Sequence, residues 1–213
     1  MVRKKSIMLG VATAILCSAP LTSVNASTKI NDIHLSDIQY DEYSFKNYQS
    51  LTSEQKKLYN EALKIEMMKY QNQDDFNEQI FKEVVDSIVF EDNAAKFSNM
   101  INNQSKLRWK YTGIWVDNKI VASGINVAIS LATGGVGTVG IRMLVKKVGT
   151  KAAIQVVEKT VRNKLILFGI KQFSGISYVI STIVKNVLDP GTTIAKWLDA
   201  HDKRPNNGRC DII

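Results

Sequence analysis

The stretch Ile120–Ile141 reads IVASGINVAISLATGGVGTVGI and lies between Lys119 and Arg142 without a charged residue of its own. As a helix, a run of this length can cross the hydrocarbon core of a bilayer. The run is only mildly apolar, however, because ten of its residues are glycine, serine, threonine or asparagine. Such a run can be buried in a folded domain and can also enter lipid, so its placement decides how the chain is organised.

The two sides of the chain around this run differ in charge. Residues 27–118 contain 11 Lys and Arg against 15 Asp and Glu, a net of −4, whereas residues 119–213 contain 14 against 5, a net of +9. A basic and apolar half favours an anionic partner such as a bacterial membrane or teichoic acid. Nucleic acid is not an expected partner, because the basic residues flank apolar runs and do not alternate with aromatic stacking residues.

The first 26 residues have the features of a secretory signal peptide. A basic start, Arg3 to Lys5, precedes the short apolar stretch Ile7–Leu16, and Val24-Asn25-Ala26 has the small-x-small pattern of a cleavage site. We therefore predict a secreted, extracellular protein that is cleaved after Ala26. The alternative, an N-terminal membrane anchor, requires a longer apolar run.

Three further segments follow the predicted signal peptide. Residues 27–50 form an irregular N-terminal arm, either a disordered leader or a partner-binding arm, and residues 51–105 form an acidic helical segment. Thr52 and Gln55 have the spacing of a capping box at the start of that segment. Its predicted helices run from Thr52 to about Tyr70, from a cap at Asp74 or Asp75, and from Ala94 to Ile101. Residues 106–213 form the basic, apolar segment.

The residues before the long run admit two interpretations. Residues 111–121 could form a small β-hairpin that turns at Asp117-Asn118. Alternatively, Trp109, Tyr111 and Trp115 could be an aromatic belt at the mouth of a membrane segment. The sequence leaves both interpretations open.

The residues after the run predict more helices. Arg142, Lys146, Lys147 and Lys151 lie among apolar residues and predict an amphipathic basic helix. Leu165–Leu188 predicts one long helix whose polar residues share a single stripe, facing either water or a lumen. A short helix, Ile194–His201, should follow a stop at Asp189-Pro190-Gly191. Cys210 is then a residue of a frayed tail or a site of pairing between chains. The polar stripe consists of Lys171, Ser174, Tyr178, Ser181 and Lys185.

A GxGxxG motif, Gly135–Gly140, offers the best case for an enzyme. With a strand at Val127–Leu131 before it and Glu158 after it, the motif would match a dinucleotide-binding loop. Secretion and the short, helical remainder of the chain argue against such a loop. The glycines are better explained by close helix packing or by a hairpin tip.

No other pattern in the sequence indicates catalysis or a cofactor. The sequence has no GxSxG motif, no HExxH motif and no Cys/His set with metal spacing, and His34 and His201 are its only histidines. A thiol catalyst built from Cys210, His201 and Asp199 would have its nucleophile in a poorly held tail. We therefore predict no catalytic residues, no metal and no cofactor.

Taken together, these features predict a mostly α fold, a helical bundle with a buried apolar, glycine-rich helix or hairpin. From Trp109 to Ile213, the run Ile120–Ile141, the run Leu165–Leu188 and the tail 202–208 resemble the large, non-lanthionine, dysgalacticin-like bacteriocins of Gram-positive bacteria. The architecture is also similar to the colicin pore-forming domain. The first resemblance implies action on a membrane transporter of the target cell with loss of its proton gradient, and the second implies an apolar hairpin that is buried until it meets a membrane.

The predicted function is therefore that of a secreted antibacterial toxin, not an enzyme, which permeabilises or de-energises a target membrane. The expected partners are bacterial membrane lipids, a transporter receptor and a cognate immunity protein. The main alternative is a secreted binding or adhesion module, and the third hypothesis is a nucleotide-binding enzyme. The predicted membrane-inserting residues are Ile120, Val121, Val127, Ile129, Leu131, Gly134, Gly135, Val136, Gly137, Val139 and Gly140. The predicted membrane-surface residues are Lys146, Lys147, Lys151, Lys164, Lys171, Trp109 and Trp115.

Overall fold

The computed structural model describes residues 45–73, 76–103, 114–170 and 173–212. These residues belong to one compact unit, Gln39–Ile213, and none of them belongs to the second unit, Met1–Ile38. The predicted signal peptide, most of the predicted N-terminal arm, Trp109 and Lys171 are therefore not among the described residues. The backbone of Trp115 is described and its side chain is not.

The described chain is mostly helical, which confirms the predicted fold class, and it includes a small two-stranded antiparallel sheet. A 3-10 turn, Tyr48–Ser50, precedes the first helix. The helices are α1 (Ser53–Met68), α2 (Glu78–Val89), α3 (Glu91–Asn103), α4 (Asn118–Thr133), α5 (Gly137–Val148), α6 (Thr150–Leu167), α7 (Ile176–Asn186) and α8 (Pro190–His201). The strands are β1 (Ile114–Asp117) and β2 (Arg209–Ile212).

Helix α4 forms the centre of the unit. Asp117 caps its N-terminus by accepting the Lys119 N–H at 2.7 Å, and Gly134 ends it in a left-handed conformation, φ 73°. Every residue from Val121 to Leu131 is buried. Helices α1, α2, α6 and α8 all pack against α4, so the first part of the mildly apolar run is the core helix of the fold.

The long run is divided between two helices by a tight turn at residues 134–136. The Ser130 hydroxyl donates to the Asn126 carbonyl at 2.7 Å and accepts the Gly137 N–H at 3.1 Å, which fixes the start of α5 against the end of α4. The glycines permit this turn, because a Cβ on Gly140 would lie 2.1 Å from the Gly135 carbonyl oxygen. Val127–Leu131 is helical, so the strand that a dinucleotide-binding loop needs is not there, and that interpretation of the motif is wrong.

The interpretation of residues 111–121 as a β-hairpin is also wrong, because β1 pairs with a strand that is distant in the sequence. β1 pairs with β2, with Val116 opposite Cys210, and α4 begins at Asn118, where the hairpin was expected to turn. Arg209–Ile212 is accordingly a paired strand and not part of a frayed tail. Cys210 is 1% exposed and its thiol donates to the Asn118 side-chain oxygen at 3.0 Å.

Leu165–Leu188 is not one helix. α6 ends at Leu167, and Gly169 and Gly175 adopt positive φ angles of 95° and 88° before α7 begins. On α7 the predicted stripe does face water, since Tyr178 is 78% exposed while Ile180 is buried. The last helix begins earlier than predicted, because Asp189 caps it with Pro190 in its first turn.

The N-terminal helices follow their local sequence signals closely. Thr52 and Gln55 form the predicted capping box at the start of α1. α2 is capped by Asn77 and not by Asp74 or Asp75. Tyr48, Tyr59 and Phe90 make ring contacts between the 3-10 turn, α1 and the end of α2. This aromatic group joins the acidic helices to the side of α4 that carries Val127 and Leu131.

Substitution of Gly191 by alanine is expected to destabilise the fold. Gly191 begins α8 against α4, and a Cβ there would lie 2.0 Å from the Ala122 carbonyl oxygen. Overpacking of this kind costs about 1–3 kcal/mol, and urea denaturation should show a loss in that range. Thr192→Ala, an exposed change one residue later, is the control and should shift stability by less than about 0.5 kcal/mol. An unchanged Gly191→Ala variant would contradict the close approach.

Candidate functional site

A buried polar network lies along one face of the apolar helix α4. Ser123, Asn126 and Ser130 are each at most 2% exposed and occur at steps of three and four residues. A carboxylate from another helix joins them: Glu66 of α1 is 5% exposed, and its Oε2 accepts the Ser123 hydroxyl at 3.1 Å. Lys69 donates to Glu66 Oε1 at 2.7 Å and balances its charge at the surface.

The side-chain amide of Asn126 is the centre of this network. Its Nδ2 donates to Glu66 Oε1 at 3.1 Å and to Asp189 Oδ2 at 3.2 Å. Its Oδ1 accepts the Gly191 N–H at 2.7 Å. Both N–H groups and the oxygen are thus used, and one side chain connects α1, α4 and the start of α8.

A second polar centre holds the end of the chain. The Asp199 carboxylate accepts from Asn118 Nδ2 at 2.7 Å, from the Asn207 N–H at 2.9 Å and from the Gly208 N–H at 3.1 Å. Burial, with nearby carboxylates, raises the pKa of the Cys210 thiol far above its usual range. Exposed His201 instead contacts the Trp197 carbonyl through Nδ1 at 2.8 Å. The three residues of the imagined thiol catalyst therefore do not form a nucleophilic site.

The exposed face of α5 combines apolar and basic side chains. Val139 is 58% exposed and Met143 is 51% exposed, one helical turn apart. Arg142, Lys146 and Lys147 are exposed on the same helix, which contains no acidic residue, and the exposed Lys151 follows in the first turn of α6. This pattern is that of a helix surface that can lie against an anionic, partly apolar boundary.

The structure separates the predicted membrane-inserting residues into three classes. The buried ones are Val121, Val127, Ile129, Leu131, Gly135 and Gly140, the partly buried ones are Ile120, Val136 and Gly137, and the exposed ones are Gly134 and Val139. Among the described residues, the segment Asn118–Val148 is the one long and apolar enough to cross a membrane, and 67% of its most apolar window is buried. A core helix of a soluble protein meets the same criterion.

No protein-family model matches the chain, and no curated protein or solved structure matches it. Within the described ranges, no group of three or more His, Cys, Asp or Glu side chains is placed to hold a metal ion.

Lys164 corrects one prediction of a membrane-surface residue. Its side chain is 1% exposed in α6, and its Nζ has no hydrogen-bond partner among the residues that the structure describes. The ammonium lies 5.1 Å from the centre of the Phe45 ring, a cation–π contact. Burial lowers the pKa of Lys164 to about 8, and the negative charge of Glu91 acts in the opposite direction. Lys146, Lys147 and Lys151 are exposed, and their contact with a membrane stays a prediction.

Sequence reasoning missed Glu66, Asp189 and the bridging role of Asn126. One signal was available: Ser123, Asn126 and Ser130 share one face of a helix by their spacing. Buried polar groups need partners, so this face predicts polar residues on the neighbouring helices. The identity of those partners required the packing of α1 and α8.

Replacement of Asn126 should destabilise the protein strongly. Asn126→Ala removes both N–H donors and leaves the buried Glu66 carboxylate short of a partner, which should cost about 3 kcal/mol in the free energy of unfolding. Urea denaturation measures the loss, and Asn186→Ala, on the exposed end of α7, serves as the control. A loss as small as that of the control would show that Asn126 does not hold the helices together.

Replacement of Lys164 by methionine should stabilise the protein at neutral pH. The folded-state pKa of Lys164 lies near 8, and the ordinary value is 10.5. Between these two pH values the unfolded chain binds more protons than the folded chain. The free energy of unfolding of the wild type therefore rises as the pH rises through that window. Lys164→Met should be more stable by about 2 kcal/mol at pH 7, and the advantage should shrink toward pH 10. Urea denaturation across this range tests it, with Lys151→Met as the exposed control; an advantage independent of pH would contradict the buried-cation assignment.

Proposed function

We propose that this chain is a secreted, bacteriocin-like antibacterial protein that binds the membrane of a target cell and permeabilises or de-energises it. The observation that carries the proposal is the arrangement of α4 and α5. The most apolar segment of the described chain is enclosed by amphipathic helices, and the helix that directly follows it presents exposed cations. Binding and apolar insertion thus belong to consecutive elements.

The exposed face of α5 is the first point of contact in this proposal. Lys146, Lys147 and Arg142 attract an anionic leaflet, at about 1 kcal/mol for each basic residue near the surface. Val139 and Met143 then enter the boundary between head groups and acyl chains. Lys151 extends the basic surface into α6. Lys164 has no part in this step, because it is buried.

Helix α4 supplies the apolar area in a second step. Its buried residues, among them Val127, Ile129 and Leu131, are exchanged from protein contacts to lipid contacts when α4 leaves the bundle. Its polar groups oppose this exchange, because Asn126 must give up its partners on α1 and α8. Entry into lipid therefore requires separation of these helices, and a receptor such as a membrane transporter could assist that separation.

A secreted binding or adhesion module is the second candidate. The observation that favours it is the burial of α4, since a core helix needs no membrane to explain it. Such a module requires a stable protein partner and has no effect on lipid. A cognate immunity protein in the producing cell belongs only to the toxin proposal.

Dye leakage from anionic lipid vesicles tests the proposed function. The purified protein should release dye, and release should fall as salt rises because the approach is electrostatic. Lys146→Glu combined with Lys147→Glu should lower release at least about tenfold, given the cost of reversing two surface charges. Lys185→Glu with Lys196→Glu, exposed on α7 and α8, is the control of equal net charge and should retain most of the release.

A growth-inhibition assay on related bacteria completes the test. Inhibition without vesicle leakage would indicate action through a receptor and would keep the antibacterial proposal. The absence of both leakage and inhibition would contradict the proposal and would favour the binding module.

A further inference from the structure

A groove with aromatic walls lies between α1, the start of α2 and the first turn of α4. Tyr70, Phe76 and Phe81 line it, with ring centres 5.7 Å apart for Tyr70–Phe81 and 5.6 Å apart for Phe76–Phe81. Ile80 and Ile120 complete the apolar lining, and Ile80 is 54% exposed. The cavity has a volume of about 230 Å³. An apolar concavity of this kind suits branched or flexible apolar side chains.

The surroundings of the groove are more acidic than basic. Asp117 and Lys119 both line it. Glu83 lies one helical turn after Ile80, and Glu78 begins α2; both are exposed. Lys82 does not balance these charges, because its ammonium is paired with Asp86 at 2.6 Å. An occupant with apolar and cationic side chains would therefore be complementary to this surface.

The exposed face of α5 has those properties. Val139 and Met143 are four positions apart in the sequence and are both exposed, on successive turns of the helix. This is the spacing of anchors in helix-in-groove recognition. A methionine side chain adapts well to aromatic walls. Arg142, Lys146 and Lys147 flank these anchors, and their positive charges are complementary to the negative charges of Glu78, Glu83 and Asp117.

We propose that the exposed face of α5 binds the aromatic groove of a second copy of this chain. α5 packs on α4, α6 and α7 in its own chain, and the groove is formed by α1, α2 and the start of α4. The two contacting surfaces are thus different, so the association is head-to-tail. Each added copy leaves one groove and one α5 face open, and the assembly grows into a ring or an open filament.

This association is measured without lipid, so the outcome of its test does not depend on the proposed action on membranes. In solution it covers Val139 and Met143 and so shields the apolar residues of α5. An anionic membrane competes with the groove for the same cations.

Sedimentation velocity of the purified protein at rising concentration is the primary experiment. The average mass should rise with concentration and fall with added salt. Glu83→Lys and Lys147→Glu should each weaken association by about tenfold, and the two changes in one chain should restore it. Lys185→Glu, exposed on α7, should leave it unchanged. A monomer at all concentrations, or no restoration in the double variant, would overturn the proposal.

Cross-linking of mixed variants gives a second measurement that does not depend on charge. Ile80→Cys and Met143→Cys chains of different mass are mixed and oxidised; the native thiol of Cys210 is buried and does not compete. The mixture should form a heterodimer, whereas Met143→Cys with Tyr178→Cys should not, although Tyr178 is the more exposed position. Equal cross-linking in both mixtures would overturn the proposal. Vesicle leakage of the charge-swapped double variant separates the two proposals, since the swap restores association but not the basic face of α5.

Discussion

The arrangement of the helices depends on the hydrogen bonds of the Asn126 side-chain amide. Asn126 is 2% exposed, and its three hydrogen-bonding positions are used by α1 and α8. An apolar helix alone could rotate or slide in its surroundings at little cost, because apolar contacts are not directional. Asn126 removes that freedom, since any other rotation of α4 leaves a buried amide and a buried carboxylate without partners.

This constraint explains why the central helix is only mildly apolar. Small residues bring neighbouring helices close: a Cβ on Gly124 would lie 2.5 Å from the Ile88 side chain, and Gly191 meets the Ala122 carbonyl in the same way. Polar residues then fix the register of the close contacts. The composition that suggested a choice between core and lipid is, in the folded state, the composition of a closely packed core helix.

Local signals in the sequence predicted much of the fold. The mostly α class, the capping box at Thr52 and the amphipathic basic helix α5 follow from periodicity and capping, which act within a few residues. The exposed lysines of α5 could be placed in the same way.

Features set by distant contacts could not be predicted from local signals. They are the pairing of β1 with β2, the partners of Asn126 and the burial of Lys164 beneath Phe45. A lysine on a helix is usually solvated, and only the packing of α6 shows that this one is not. The break between α6 and α7 was missed because Gly169 and Gly175 were outweighed by the apolar residues around them.

The sheet has a consequence for the order in which the fold can form. β1 precedes the central helix, yet its partner β2 is near the end of the chain, and Asn118 and Cys210 in contact are 92 residues apart in sequence. A chain emerging from the ribosome carries α1 to α8 before it carries β2. The ladder between β1 and β2 and the shell of hydrogen bonds around Asp199 therefore close only after α8 has been made. Until then the N-terminal end of α4 lacks its contact with β2.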